Sequence, residues 1–135
     1  MSSPSDQEVP TTARRVRVLR VNEELDEVVV AFGSLELFCF GFGQARSDDV
    51  GRELWATFSC LEDDDVDSWR LPDDAVDSIR YLGAYRYEIH CTQRGENFHV
   101  CGLVVGDDDE PEESDALGPL RVGVVLERLD IEFHR

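Results

Sequence analysis

The segment that most constrains the fold is Ile79–Val105, which contains all three tyrosines of the chain. Within it, Ala84–Cys91 has tyrosine, isoleucine or cysteine at every second position. Because successive side chains of a strand point to opposite faces, this alternation predicts a strand with one buried and one exposed face. Arg94–Asn97 supplies a turn, since Gly and Asn tolerate positive φ. Phe98–Val105 is then predicted to return as the second strand of a hairpin.

Five further segments have strand-like patterns. In the first, the apolar phase slips at Leu19, which predicts a β-bulge or strong coiling of the strand. No segment has a helical period over ten residues, so we expect an all-β chain of about seven strands. The predicted architecture is a small antiparallel, OB-like barrel with two acidic loops, and the alternative is a β-sandwich. The five segments are Arg14–Val21, Glu27–Phe32, Leu35–Phe42, Arg52–Leu61 and Leu120–Phe133, the last being one strand or a strand pair.

The length of 135 residues is typical of one domain. Residues 1–12 are rich in Ser, Pro and Thr and are predicted to be a disordered arm, followed by a single barrel domain over 13–135. The chain has no apolar run that could span a bilayer and no signal-peptide pattern. We therefore expect a cytoplasmic protein whose four cysteines are reduced.

The charge is strongly negative, at −17, and all thirteen basic residues are arginine. The absence of lysine indicates a GC-rich bacterial genome. Segments 62–77 and 107–115 together hold fifteen acids and one arginine, a net of −14, so the remaining chain is nearly balanced. Because acidic surfaces repel phosphate, we expect neither nucleic acid nor membranes as partners, but a protein with a basic surface.

The preferred functional hypothesis is a non-enzymatic protein-binding module. Its most concrete form is an acidic immunity or inhibitor protein that neutralises a basic toxin or nuclease. The two acidic loops should meet at the open end of the hairpin and form one negative surface. The alternative for these loops is that they only keep the protein soluble. The predicted contact residues are Asp63, Asp64, Asp65, Asp67, Asp107, Asp108, Asp109 and Glu110.

The third predicted strand is apolar on both faces, with Phe38, Phe40 and Phe42 on one and leucine and cysteine on the other. This pattern predicts burial on both sides, or one face left as a contact surface. Two further hypotheses depend on it. One is a structural subunit of a larger bacterial assembly that docks through Phe40 and Phe42. The other is a small-molecule- or metal-binding barrel, which could be catalytic, with Tyr85, Tyr87, Trp55 and Phe38–Phe42 around a pocket near His90 or His99.

Three weaker patterns concern metals and catalysis. Four aspartates have calcium-loop spacing, but Ser68 stands where that loop needs Gly, and Pro72 interrupts it. Two His–Cys pairs flank the hairpin turn, but neighbouring strand residues face opposite ways, so we expect buried thiols and no zinc site. Cys39 or Cys60 as a nucleophile would need a nearby base. We expect no cofactor and no catalytic residue. The sets are Asp63, Asp65, Asp67 and Asp74 for calcium, and His90, Cys91, His99 and Cys101 for zinc.

Three short segments resemble those of a group of small uncharacterised bacterial proteins. They are Glu36–Phe40, Ile79–Tyr87 and Arg128–Phe133. In that group a valine-rich strand leads to a Cys-Phe strand, and the chain closes on an Arg-Leu/Ile-Asp-Ile-x-Phe strand. The resemblance covers about residues 15–134 and implies a compact, OB-like β-barrel. It supplies no catalytic residue and no binding site.

Overall fold

The computed structural model describes residues 10–60, 68–95, 97–106 and 119–134. Within these ranges the chain forms eleven strands and one short 3-10 turn, Ser47–Asp49, with no α-helix. The all-β prediction is confirmed, although eleven mostly short strands stand where about seven were expected. The strands are β1 (Arg14–Asn22), β2 (Glu27–Phe32), β3 (Leu35–Phe40), β4 (Glu53–Cys60), β5 (Ser68–Arg70), β6 (Ser78–Gly83), β7 (Arg86–Arg94), β8 (Asn97–Val100), β9 (Leu103–Val105), β10 (Leu120–Leu126) and β11 (Leu129–His134).

Five of the strands close into a barrel in the order β1, β2, β3, β11, β4 and back to β1. All neighbours are antiparallel except β3 and β11, which are parallel and pair through one bridge, Phe40 with Asp130. Strand β1 pairs first with β4 and then with β2, and its register shifts between Val18 and Arg20. This shift is the bulge predicted from the phase slip. It bends β1 so that one strand serves two neighbours.

The barrel interior is filled by alternate side chains from its five strands. On β3, Leu37 and Cys39 are fully buried, while Phe38 and Phe40 on the opposite face are half-buried. On β4, Ala56 and Phe58 are buried and Trp55 is exposed. The predicted assignment of the two faces of β3 is therefore confirmed. Burial of this aliphatic set provides the main driving force for barrel closure.

The other six strands form an extension of the sheet, inserted between β4 and β11. Strands β9, β8, β7, β10 and β5 follow one another, and β6 pairs with β7 alongside β8. Strand β9 connects this extension to the barrel through a parallel bridge between Val105 and Phe58. Tyr87, Ile89 and Cys91 on β7 are buried in the same core as the barrel residues, as the alternation predicted. The barrel and its extension thus share one core.

The predicted hairpin differs from the observed one at two places. Ala84 and Tyr85 form a turn between β6 and β7 rather than the start of a strand, and Cys101 and Gly102 divide the second predicted strand into β8 and β9. All four residues have positive φ, between 51° and 88°. Two consecutive residues with positive φ make the tight turns whose twist matches that of flanking strands. The Leu120–Phe133 segment is a strand pair, β10 and β11.

Candidate functional site

Four connections of the fold meet around Phe40, at the end of β3. The turn between β1 and β2 is joined to the segment after β3 by a hydrogen bond from the Gly41 amide to the Asp26 carbonyl, at 2.7 Å. The β6–β7 turn is joined to the start of β11 by the Leu129 amide, which donates to the Tyr85 carbonyl at 2.9 Å. Segments far apart in sequence therefore contribute to one surface.

An aromatic surface covers the outer side of β3. We define it by its residues, which are Phe38, Phe40, Phe42, Tyr81, Tyr85 and Arg128. Phe38 stacks on Tyr81 with ring centroids 4.8 Å apart and planes inclined by 14°. Phe40 packs edge-on against Phe42 at 4.8 Å and against Tyr85 at 6.4 Å. These offset and edge-on geometries are the ones that aromatic pairs favour.

Arg128 holds a central position in the aromatic surface. Its guanidinium carbon lies 4.4 Å from the ring centroid of Phe40 and 5.4 Å from that of Phe42. The same guanidinium donates to both carboxylate oxygens of Asp130, which is buried, at 2.6 and 3.2 Å. The bidentate pair compensates the charge and fixes the plane of the group. The Arg128 guanidinium therefore adds a rigid, planar group beside the rings of Phe40 and Phe42, and Asp130 compensates its charge.

Two residues of the aromatic surface have unusual backbone conformations. Phe42 has φ of 53° and Tyr85 has φ of 65°, both in the left-handed region. For residues other than glycine this conformation costs about 1–3 kcal/mol each. Phe42 is also 53% exposed, although an apolar side chain gains from burial. Strain and exposure at the same aromatic residue are typical of a contact position rather than of a core position.

The hydroxyl of Tyr87 connects the β6–β7 hairpin to β3. It accepts a hydrogen bond from the Phe38 amide at 2.6 Å and donates one to the Phe38 carbonyl at 3.2 Å. One side chain thus replaces a neighbouring strand at the point where β3 has few contacts with β11. Burial raises the pKa of Tyr87, so the phenol stays protonated and can donate.

Carboxylates border the aromatic surface on the side of the β1–β2 turn, where the chain reads Glu-Glu-Leu-Asp-Glu over residues 23–27. The Tyr85 hydroxyl donates to Glu27 at 3.0 Å, and partial burial together with this carboxylate raises the pKa of Tyr85. Ser47 donates to Glu23 through its hydroxyl at 2.8 Å and its amide at 3.2 Å, which lowers the pKa of Glu23. Leu25 is 59% exposed between these acids.

The predicted pocket at the barrel mouth is only partly assembled. Tyr85 and the Phe38–Phe42 strand do come together. Tyr87 is buried and engaged by Phe38, and Trp55 lies on β4 opposite Arg15. His90 packs against Trp69 on β5, in the sheet extension. The assembled residues form an open platform of rings.

The eight predicted acidic contact residues lie outside the described residues, as does the single negative surface expected from them. Two members of the platform, Tyr81 and Arg128, were not among the residues predicted for the contact or pocket sites. Arg128 lies directly before β11 in the two-residue connection from β10, and Tyr81 lies on β6, which pairs only with β7 among the described strands. Both lie far in sequence from the Gly-Phe-Gly sequence at residues 41–43, so no sequence signal indicated that they join Phe42 in one surface.

The metal and nucleophile hypotheses gain no support from the described ranges. Within them, no three His, Cys, Asp or Glu side chains are close enough to hold a metal ion. Three of the four calcium-pattern aspartates lie outside the described residues. Cys39 is fully buried, and burial raises the pKa of its thiol, which disfavours the reactive thiolate. No helix in the described part of the chain is long and apolar enough to cross a bilayer.

Comparison of the chain with protein-family models, with curated proteins and with solved structures found no significant match.

Proposed function

We propose that this protein is a non-enzymatic protein-binding module whose partner has a basic surface. The observation that carries the proposal is the aromatic surface, in particular the exposed and strained Phe42 beside Arg128. A few residues supply most of the binding energy at protein interfaces, and aromatic residues and arginine are enriched there. The acids of residues 23–27 border these rings, as polar groups border an interface core.

The overall charge of −17 favours a basic partner. Complementary charge speeds association and excludes partners of like charge. An inhibitor or immunity protein for a basic toxin or nuclease is the most concrete form of this function, since an acidic surface can occupy a phosphate-binding cleft. Docking as a subunit of a larger assembly would use the same aromatic surface. In that case the partner would be bound permanently.

We further propose that the barrel is OB-like. It has five strands and is nearly open between β3 and β11, in keeping with the partly open Greek-key barrel of that fold. OB folds bind ligands on their second and third strands and on the loops between strands 1–2 and 4–5. The corresponding elements here are β2, β3, the turn at residues 23–26 and the insertion between β4 and β11. These elements carry the aromatic surface, apart from Phe42 just after the end of β3, and its acidic border.

The test begins with affinity capture of partners from a lysate of the source organism, followed by binding measurements with the purified partner. Phe42→Ala should weaken binding by about thirtyfold, the effect of losing roughly 2 kcal/mol at a hot spot. Because alanine keeps the same backbone conformation, the fold should be unaffected. Trp55→Ala is the matched control, since Trp55 is also an exposed aromatic residue, on β4. Its binding should equal that of the wild type.

The charge component is tested by the double variant Glu24→Gln/Asp26→Asn. We expect a lower association rate and a weaker dependence of that rate on salt, with little change in the dissociation rate. A partner that binds the Phe42 variant as tightly as the wild type would exclude the aromatic surface as the interface. A partner whose association is independent of salt would contradict the requirement for a basic surface.

A further inference from the structure

A separate cleft of about 230 Å³ lies where the start of β1 meets the β8–β9 turn. It shares no residue with the aromatic surface. The lining residues used below are Arg14, Asp77, Thr92, Arg94, His99 and Gly102. Binding pockets for drug-sized molecules usually have volumes of roughly 300–1,000 Å³, so this cleft suits a smaller group.

Arg14 is held in place at the cleft by backbone carbonyls. Its Nε donates to the Gly102 carbonyl at 2.8 Å, and its Nη1 donates to the carbonyls of Ala13 and Thr11 at 2.9 and 3.0 Å. These acceptors are neutral, so they orient the guanidinium without cancelling its charge. A fixed guanidinium loses little conformational entropy when it binds a ligand.

Asp77 is the carboxylate among these lining residues, and both of its oxygens have partners. Oδ1 accepts from Arg121 at 2.6 Å, and Oδ2 accepts from the Cys101 amide at 3.0 Å. Arg121 therefore compensates the charge of Asp77. The same arginine donates to the hydroxyl oxygen of Thr92 at 2.7 Å, which leaves the hydroxyl hydrogen of Thr92 available to donate.

Arg94 is exposed at the end of β7, and it makes no ion pair within the described part of the chain. Some other exposed arginines have carboxylate partners. Arg15 and Arg17 both pair with Glu53, and Arg80 pairs with Glu88. Arg14 likewise has no carboxylate partner among the described residues, so no described carboxylate compensates the charge of either arginine at the cleft.

We propose that this cleft binds a small oxyanion, either a phosphate or a carboxylate group. Arg14 and Arg94 would contribute charge-assisted hydrogen bonds, which are stronger than neutral ones, and Thr92 a hydroxyl donor. On Arg14 only Nη2 remains to donate, since Nε and Nη1 bond to backbone carbonyls, whereas the planar fork of Arg94 matches two oxygens of such a group. His99 lies in the lining and gives the cleft a further polar wall.

The experiment is a titration of the ¹⁵N-labelled protein with inorganic phosphate, followed by NMR at constant ionic strength set with sodium chloride. We expect saturable shifts at the backbone amides of Thr92, Val100, Gly102 and Leu103. A parallel titration with acetate separates the two ligand classes. Tighter binding of phosphate assigns a phosphate group, and equal or tighter binding of acetate assigns a carboxylate.

Arg94→Ala should weaken the binding by about tenfold, since a hydrogen bond to a charged group contributes roughly 1.5–3 kcal/mol. Arg94 is exposed and makes no ion pair with a described residue, so the spectrum of the ligand-free variant should match that of the wild type away from the mutation. Arg80→Ala is the control, because it removes an exposed arginine on β6 and should bind like the wild type. Shifts that do not saturate, or equal binding by the Arg94 and Arg80 variants, would overturn the proposal.

Discussion

At the scale of single residues, the Tyr87 hydroxyl links the sheet extension to the barrel. Strand β3 reaches β11 through one bridge only, so the amide and carbonyl of Phe38 need another partner. The hydroxyl of Tyr87 satisfies both, as acceptor and as donor. A buried backbone group without a partner is costly, so the tyrosine stabilises the barrel where its strands separate.

Tyr87→Phe removes these two hydrogen bonds and leaves the ring in place. We expect the free energy of unfolding to fall by about 1–3 kcal/mol, the cost of leaving buried groups unpaired. Urea denaturation followed by circular dichroism measures the change. Tyr81→Phe is the control, since the Tyr81 hydroxyl accepts only a long bond of 3.4 Å on an exposed side chain. Equal stability of both variants would show that water replaces the Tyr87 hydroxyl.

Phe42 is the opposite case to Tyr87, because its conformation and exposure do not stabilise the fold. Its φ of 53° and its 53% exposure add nothing to the stability of the barrel. Its contacts with Phe40 and Arg128 keep a ring at the surface, where water would otherwise disfavour it. Natural proteins keep such costly positions mainly at functional sites. This residue is therefore the first choice for mutation.

At the scale of elements, the packing of β5 against β10 depends on one glycine. Trp69 of β5 pairs with Gly123 of β10, and its ring covers the glycine so closely that a Cβ there would clash with the ring. The short strand β5 has few other attachments, because it pairs only with β10 within the described residues. The tryptophan covers the open space above the glycine and fastens an edge strand.

Gly123→Ala should displace Trp69 and loosen β5. We expect a red shift of tryptophan fluorescence and a loss of about 1–3 kcal/mol of stability, as for other overpacked sites. The matched comparison is a double-mutant cycle with Trp69→Ala. If the clash is the cause, Gly123→Ala in the Trp69→Ala background should cost much less. If the losses of stability in the two single variants simply add in the double variant, the effect comes from the backbone of β10 instead.

The elements also show which parts of the fold could be predicted from the sequence. Strand β2 has its predicted bounds, and the bulge in β1 followed from the phase slip at Leu19, because both depend on local side-chain alternation. The turn at Ala84 and Tyr85 was missed, since a tyrosine with positive φ continues the alternating pattern in sequence while the backbone reverses. Local pattern carries no information about such strained positions.

The candidate site was predictable to a similar degree. The line of Phe38, Phe40 and Phe42 identified one face of β3 as a possible contact surface. Tyr85 was expected near this face as part of a pocket, whereas the addition of Tyr81 and Arg128 depends on how β6, β7, β10 and β11 are arranged, which is a long-range property. A tyrosine and an arginine far apart in sequence give no signal that they share one ring cluster.

At the scale of the whole molecule, one core serves the barrel and its extension. Buried thiols and a buried phenol lie in this core, at Cys39, Cys91 and Tyr87. Burial raises the pKa of all three groups, because the charged forms would be poorly solvated there. The protein therefore holds protons at high pH that the unfolded chain releases.

This core makes the protein sensitive to alkali. Burial, with a smaller contribution from Asp77, raises the pKa of Cys91 from 9.0 to about 12. Below pH 9 both states hold the proton, so this stabilising contribution is fully present. As pH rises from 9 to 12 the unfolded state loses the proton first, and stability falls by up to about 1.4 kcal/mol per pH unit for each such group. Urea denaturation at pH 8, 9, 10 and 11 measures the slope.

Cys91→Val removes one titrating group while keeping a similar volume in the core. We expect its stability to decline less steeply above pH 9 than that of the wild type, by up to about 1.4 kcal/mol per pH unit. Cys101→Ala is the comparison. Desolvation and Asp77 also raise the pKa of the Cys101 thiol, but by less than that of Cys91, because Cys101 is exposed in the β8–β9 turn; the slope of this variant should therefore change less than that of Cys91→Val. Equal slopes for Cys91→Val and the wild type would mean that the Cys91 thiol ionises in the folded state. In that case Cys91 would react with a thiol reagent at pH 10 as fast as Cys101 does. Because Cys91 is buried in the core, we expect it to react more slowly.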